Sequence, residues 1–280
     1  MSGITLTSSE SSTILSLQQT TTLFNTTSND LNTGKKVNSA ADNALSYFQS
    51  VSLYNRASDF TNRKAQIDQS VQSLTAALNA TSTIGTLLTQ LQGVITGAES
   101  ATTNSAKATA TNQVKTLGTQ LIQVVKDASY QGINLLESTA ITLRTQFSER
   151  TASALTVSGY DLIATATGNS NSLFTGTSQA GGILSSTGIN FKALLASSST
   201  GTGVSGFTQV NASTASGEAI FNNALNVIAA AISQNNALSS ALGTNVAILK
   251  ARSTFSSSYS STLSGGGDKL TLADLNLESA

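Results

Sequence analysis

The 280-residue chain contains no histidine, cysteine, tryptophan or proline, and its one methionine is the first residue. Without His and Cys, most metal sites are excluded, together with every His-based triad and every thiol nucleophile. Without Cys there is no disulfide framework, so packing or association must supply stability. Without Pro nothing sharply kinks a helix interior, which suits long continuous helices. Charge is scarce and balanced, with 14 Lys and Arg against 14 Asp and Glu, together 10% of the chain. That leaves no basic field for nucleic acid or anionic lipid, and little charge to hold surfaces apart. Such a composition fits a neutral soluble protein and equally a subunit that associates. No run approaches the ~20 apolar residues of a membrane span. The opening Met-Ser-Gly-Ile-Thr-Leu-Thr lacks the basic and apolar regions of a secretory signal.

What is present is helical periodicity at both ends, around a middle rich in Gly, Ser and Thr. Over residues 1–33, Ile14, Leu17, Phe24 and Leu31 repeat at helical spacing. Much of the rest is Ser, Thr and Asn, mediocre helix formers, so this helix is marginal alone and orders against a partner surface. Gly34 reads as its stop, and Asn38 or Ser39 as the cap of the next helix. From Leu45 the apolar positions include Phe48, Phe60, Ile67, Val71, Leu74, Leu78, Ile84, Leu88, Leu91 and Ile95. Some 50 residues of helix span about 75 Å, which suggests a coiled-coil-like bundle. Gly93 and Gly97 weaken its end, Thr102–Ser105 reads as a turn, and a further helix follows over about 110–128.

The period then changes. Ile141–Phe147 and Ala154–Tyr160 read as the two strands of a hairpin, and 164–217 as loops and short strands. The last long helix runs from Ile220 through Leu225, Ile228, Ile232, Leu238, Leu242, Val246 and Leu249 to Phe255, and Gly265-Gly266-Gly267 is expected to break it. A short apolar run restarts at Leu270 and takes in Leu272, Ala273, Leu275 and Leu277. The expected fold is mainly α, an elongated bundle of long antiparallel helices from both termini with a small β-hairpin and loop region in the middle.

Three stretches carry a family resemblance. Leu31–Asn43, with Leu-x-x-Gly followed by Val-Asn-Ser-Ala and Asp42, resembles the segment of bacterial flagellins that links the inner core helix to the outer core bundle. Tyr130-Gln131-Gly132-Ile133-Asn134-Leu135-Leu136 is similar to the motif closing the family's second outer-core helix. Ser240–Gly243 and Lys269–Asn276 resemble its C-terminal portion. The likeness is to the short flagellins of alphaproteobacteria, over roughly 1–163 and 214–280. It implies an N-terminal inner-core helix over 1–33, a connector over 34–43, and a discontinuous helical outer-core domain over 44–138 and 214–264. A hairpin and variable, solvent-facing region over 139–213 and the start of a C-terminal inner-core segment over 265–280 complete that layout.

The resemblance further implies a homopolymer that forms the flagellar filament, with the export apparatus, filament cap and hook-junction proteins as partners and no cofactor. Candidate assembly residues are Ile14, Leu17, Phe24, Leu31, Gly34, Lys35, Val37, Asn38, Ala40 and Asp42. Two departures stand out. Family members continue with a C-terminal helix, whereas this sequence stops at Ala280: either it is a truncated form, which is expected to polymerise poorly, or its filament lacks half of the usual inner lining. At the surface resembling the Toll-like receptor footprint, two arginines and a glutamate are replaced by Gln90, Gln92 and Gln120. That removes charge-assisted, bidentate hydrogen bonds and leads to an expectation of weak receptor activation.

Blander readings account for other signals. Lys35, Lys36 and Asp42 pair across subunits or simply solvate the connector, and exposed ion pairs contribute only ~0–1 kcal/mol. Backbone geometry at Gly34 and close packing of Ala40 and Ala41 are the favoured reasons for this segment. The heptad-like Leu, Ile and Val positions are expected in the intramolecular core first. Three Asn-x-Ser/Thr matches, at Asn25, Asn79 and Asn211, are what chance gives in so polar a chain. Gly201-Thr202-Gly203 lacks the following Lys of a phosphate cradle, and Glu10 and Asp30 are too far apart for an acid–base pair. The expectation is a structural subunit with no catalytic site. A hook–filament junction protein and a secreted adhesin or binding module are the alternatives.

Overall fold

The computed structural model describes residues 7–149, 152–162, 184–185, 188–189, 215–274 and 276. The protein is mainly helical, with long helices packed on one another and a small antiparallel strand region between them. Helix α1 spans Ser8–Thr33, α2 Ala44–Ser100, α3 Asn104–Asp127 and α4 Ala215–Thr271. Strands β1 (Ser129–Tyr130) and β2 (Ile133–Asn134) form one hairpin, β3 (Thr142–Gln146) and β4 (Ala154–Ser158) a second, and β5 (Leu184–Ser185) and β6 (Gly188–Ile189) a third. Of the region expected as loops and short strands over 164–217, everything before 215 except β5 and β6 lies outside the described residues, as do Leu275 and Leu277. Residues 215–217 are a correction, being the first turn of α4 rather than loop.

Helix ends follow local chemistry. Thr7 and Glu10 make a capping box at the start of α1, with the Thr7 amide donating to Glu10 Oε2 at 2.8 Å. Gly34 ends the helix in the left-handed region at φ 67°, where a glycine carries no Cβ penalty. The cap of α2 is a correction: Asn43, not Asn38 or Ser39, accepts from the Ser46 amide at 3.0 Å. Gln131 and Gly132 both have positive φ, the geometry of a tight two-residue hairpin turn between β1 and β2. The Asn134 side chain then closes α3, its Nδ2 donating to the carbonyls of Val125 and Lys126.

The chain divides into two compact units. The first comprises Met1–Lys64 and Thr254–Ala280, the second Ala65–Ser253. The second unit holds the core. Ile67, Leu74, Ile84 and Leu88 of α2 pack with Leu121 and Val125 of α3 and Leu242 and Leu249 of α4. Leu91 and Ile95 meet Val114, Phe221 and Ile228 in a neighbouring cluster. Polar contacts also sit inside this seam: Asn235 donates to the Thr81 carbonyl at 2.9 Å, and Ser239 to the Thr81 hydroxyl at 2.9 Å. The β3–β4 hairpin pairs Leu143 with Val157 and docks through Leu143, Phe147 and Val157. Thr145 donates to Ser70 at 2.7 Å, and the Arg252 guanidinium lies over the Phe147 ring at 5.1 Å.

In the first unit the helix contact is built differently. The stretch of α4 from Thr254 onward is mostly Ser, Thr and Gly. Its small side chains let α2 approach, and hydroxyls replace the leucine seam. Ser260 donates to the Ala57 carbonyl at 2.8 Å, Arg56 to the Tyr259 hydroxyl at 3.1 Å, and Tyr54 to Asp268 Oδ1 at 2.7 Å. Phe60 meets Tyr259 edge-on at 4.8 Å. Here the structure corrects a second expectation. Gly265-Gly266-Gly267 does not break the helix, which continues through Leu270 to Thr271. Glycine costs a helix about 1 kcal/mol each relative to alanine. Contacts offset that penalty: the Tyr54 ring of α2 lies 2.9 Å from where a Cβ at Gly267 would stand, and Leu53 is in van der Waals reach of Gly266.

Candidate association surface

Large apolar side chains are distributed unequally between the two units. Ile14, Leu15, Leu17, Leu23, Phe24 and Leu31 on α1, Leu45 and Phe48 on α2, Phe255 on α4 and Leu272 after it are all exposed in the first unit. Ile248 is the one such residue in the second unit among the described residues. Exposure is high: 68% for Leu17, 71% for Phe24, 69% for Leu45 and 62% for Phe48. Leu45 therefore departs from the expectation that the heptad-like Leu, Ile and Val positions fill the intramolecular core, and Phe48 and Phe255, at the same helical period, lie outside with it. The interior of the first unit is correspondingly small: Val37, Ala57 and Leu263, beside the polar Asp30, Ser50, Ser256 and Thr271.

Five threonines make part of the α1 surface easier to dehydrate. Thr13, Thr20, Thr21, Thr22 and Thr26 each donate their hydroxyl to the carbonyl four residues back, at 2.8 to 3.1 Å. A hydroxyl bonded to its own helix leaves its methyl group facing outward and needs no new partner when water is removed. Leu17 and Phe24 thus line a shallow groove with Thr13, Thr20 and Thr21. A second groove, lined by Leu45, Phe48, Leu53 and Leu270, lies at the head of α2.

The connector between α1 and α2 is fastened by backbone. The carbonyl of Thr271, at the end of α4, accepts from the amides of Lys36 at 2.9 Å and Val37 at 3.3 Å. Ala273 donates to the Gly34 carbonyl at 3.1 Å, and Lys35 bridges Leu272 antiparallel. Val37 is buried in the chain's own interior, Asn38 and Ala40 are half-buried, and Lys35, Ala41 and Asp42 are exposed. Asp42 Oδ2 accepts from the amides of Asn38 at 2.9 Å and Ser39 at 2.8 Å. These bonds, the Ser39 amide first, hold its carboxyl below the ordinary aspartate range. Asp42 therefore organises a turn. Nothing in the sequence spacing marked that role, nor the tie to Thr271.

In the second unit, Gln90 and Gln120 are exposed and Gln92 half-buried. Gln90 borders a groove between the end of α2 and the start of α3, where Gly93 and Gly97 face open space. Among the described residues no cluster of acidic side chains could hold a metal ion, and no helix is long and apolar enough to cross a membrane.

Residues 4–140 match the bacterial flagellin N-terminal helical region. The match takes in α1, the connector, α2, α3 and the β1–β2 turn, and it ends just before β3. It supports a flagellin-type protein, a structural class rather than an enzymatic one. No curated protein matches the chain. The exposed residues of α1 and of the head of α2 all fall inside the flagellin-matched span.

Proposed function

We propose that the chain is a subunit of a bacterial flagellar filament, associating with copies of itself through the first unit. The observation that carries this reading is the exposed apolar set on α1 and the head of α2, within a span that matches flagellin. Burying such surface contributes about 25 cal/mol per Å², and repeated head-to-tail contacts that do not close give a helical polymer. On this reading Ile14, Leu17, Phe24 and Leu31 pack between subunits. Gly34, Lys35, Val37, Asn38, Ala40 and Asp42 set the path of the chain that presents them.

The same proposal assigns 1–33 to the filament's inner core, 34–43 to a connector, and 44–138 with 214–264 to its outer core. It makes the export apparatus, the filament cap and the hook-junction proteins the partners, and the extracellular filament the location. Expression of the tagged chain in a bacterium lacking its own flagellin, followed by immunolabelling, tests it. Label along the whole filament is expected. Label confined to the filament base, or motility that stays absent with no filament at all, counts against it.

A further inference from the structure

The three glycines near the end of α4 are in the wrong place for a helix, yet the helix passes through them. Each lowers the local helix equilibrium about fivefold relative to alanine. They do not all play the same part. A Cβ at Gly265 would meet nothing within 4 Å, whereas one at Gly267 would lie 2.9 Å from Tyr54 Cζ and 3.0 Å from Cε1. One at Gly266 would be 3.4 Å from Leu53 Cδ1. The Tyr54 ring therefore rests directly on the backbone of α4 at Gly267, and its hydroxyl reaches the next residue, Asp268, at 2.7 Å. One turn further on, Thr271 is buried, its hydroxyl donates to the Gly267 carbonyl at 3.2 Å, and its own carbonyl receives the amides of Lys36 and Val37.

We propose that Tyr54 is a positioning residue: seated on Gly267 and bonded to Asp268, it keeps α4 wound to Thr271, and that winding holds the connector from which α1 departs. Two couplings make this a device rather than an ordinary contact. The carbonyl that receives Lys36 and Val37 is in place only while the last turn of α4 is wound. The last turn, weakened by glycine, is wound only while Tyr54 covers it. Lifting the ring therefore frays residues 268–273 and frees the connector together, while the leucine clusters of the second unit stay intact.

The inference concerns the free chain and stands whether or not the chain assembles. Amide hydrogen exchange of the full chain, at a dilution where it is monomeric, tests it. Tyr54→Phe removes the hydroxyl alone and is expected to speed exchange about tenfold, both in 268–273 and at Lys36 and Val37, as loss of a bond to a carboxylate should. Gly267→Ala supplies the sharper readout. Intrinsic propensity alone makes it slow exchange, but in the presence of Tyr54 it is expected to speed exchange, because the new Cβ dislodges the ring. In a Tyr54→Ala background the same substitution is expected to slow exchange. Gly265→Ala, facing open space, is expected to slow it in both backgrounds. Slowing by Gly267→Ala whatever stands at position 54 would overturn the inference. So would fraying of 268–273 that leaves Lys36 and Val37 protected.

Discussion

Single side chains at the connector tie its order to pH at both ends of the scale. Asp42 is held low by the amides of Ser39 and Asn38, so its ionised form is the one the fold favours. Its contribution is present above the ordinary aspartate value and is lost as pH falls through the lowered one. The amides of Asn38 and Ser39 are therefore expected to lose protection on acidification. In Asp42→Asn their protection should be weaker at neutral pH and flat across the acid range, as read by amide exchange against pH. Tyr54 behaves oppositely. Its bond to Asp268, then its burial, push the phenol above its ordinary value, so the neutral form is favoured. That contribution is whole below the ordinary tyrosine value and is lost as pH rises through the raised one. Ultraviolet titration is expected to show the Tyr54 phenol ionising above the ordinary tyrosine value, and Asp268→Asn should bring it back down.

Stretches of helix divide into those that pack inward and those that offer a face, and α2 contains both. Leu88 is fully buried between α2 and its partners, so Leu88→Ala should cost about 2–5 kcal/mol of unfolding free energy in denaturant titration. Leu17 is exposed, and Leu17→Ser should change the same quantity by less than about 0.5 kcal/mol. Equal losses at the two positions would contradict the division drawn here.

This contrast also explains what the sequence could reveal. Steps of three and four from Ile67 to Ile95 and from Ile228 to Leu249 mark buried stripes, because unlike neighbours on the other faces give the pattern contrast. Alternation around Leu143 and Val157 marks the hairpin for the same reason. Leu45, Phe48 and Phe255 follow the helical period just as well yet lie outside, since periodicity reports a face and not what covers it. The glycine triplet misled in the other direction. Propensity argues for a break, and the ring that cancels it comes from Tyr54, more than 200 positions away. The Asn43 cap and the Asp42 turn were hidden because Asn38, Ser39, Asp42 and Asn43 all carry capping chemistry within six residues. Gly34 was legible because one residue type suits a left-handed helix end.

At the level of the whole molecule, a neutral chain with little charge has few means of repelling its copies. The first unit adds apolar surface that its own small interior does not cover, whereas the second unit buries its leucines. Gln90, Gln92 and Gln120 extend the same scarcity of charge to the second unit. A reporter cell carrying the flagellin receptor should respond to the chain far less than to a detected flagellin, and a comparable response would refute that expectation. The most direct test of the central claim is sedimentation velocity over a range of protein and sulfate concentrations, on the parent chain and on Leu17→Ser/Phe24→Ser. Sulfate strengthens apolar association. The parent is expected to grow beyond dimers without a closed end point, and the double variant to stay monomeric with an unchanged unfolding midpoint. A parent that remains monomeric throughout, or a double variant that associates as readily, would contradict the account.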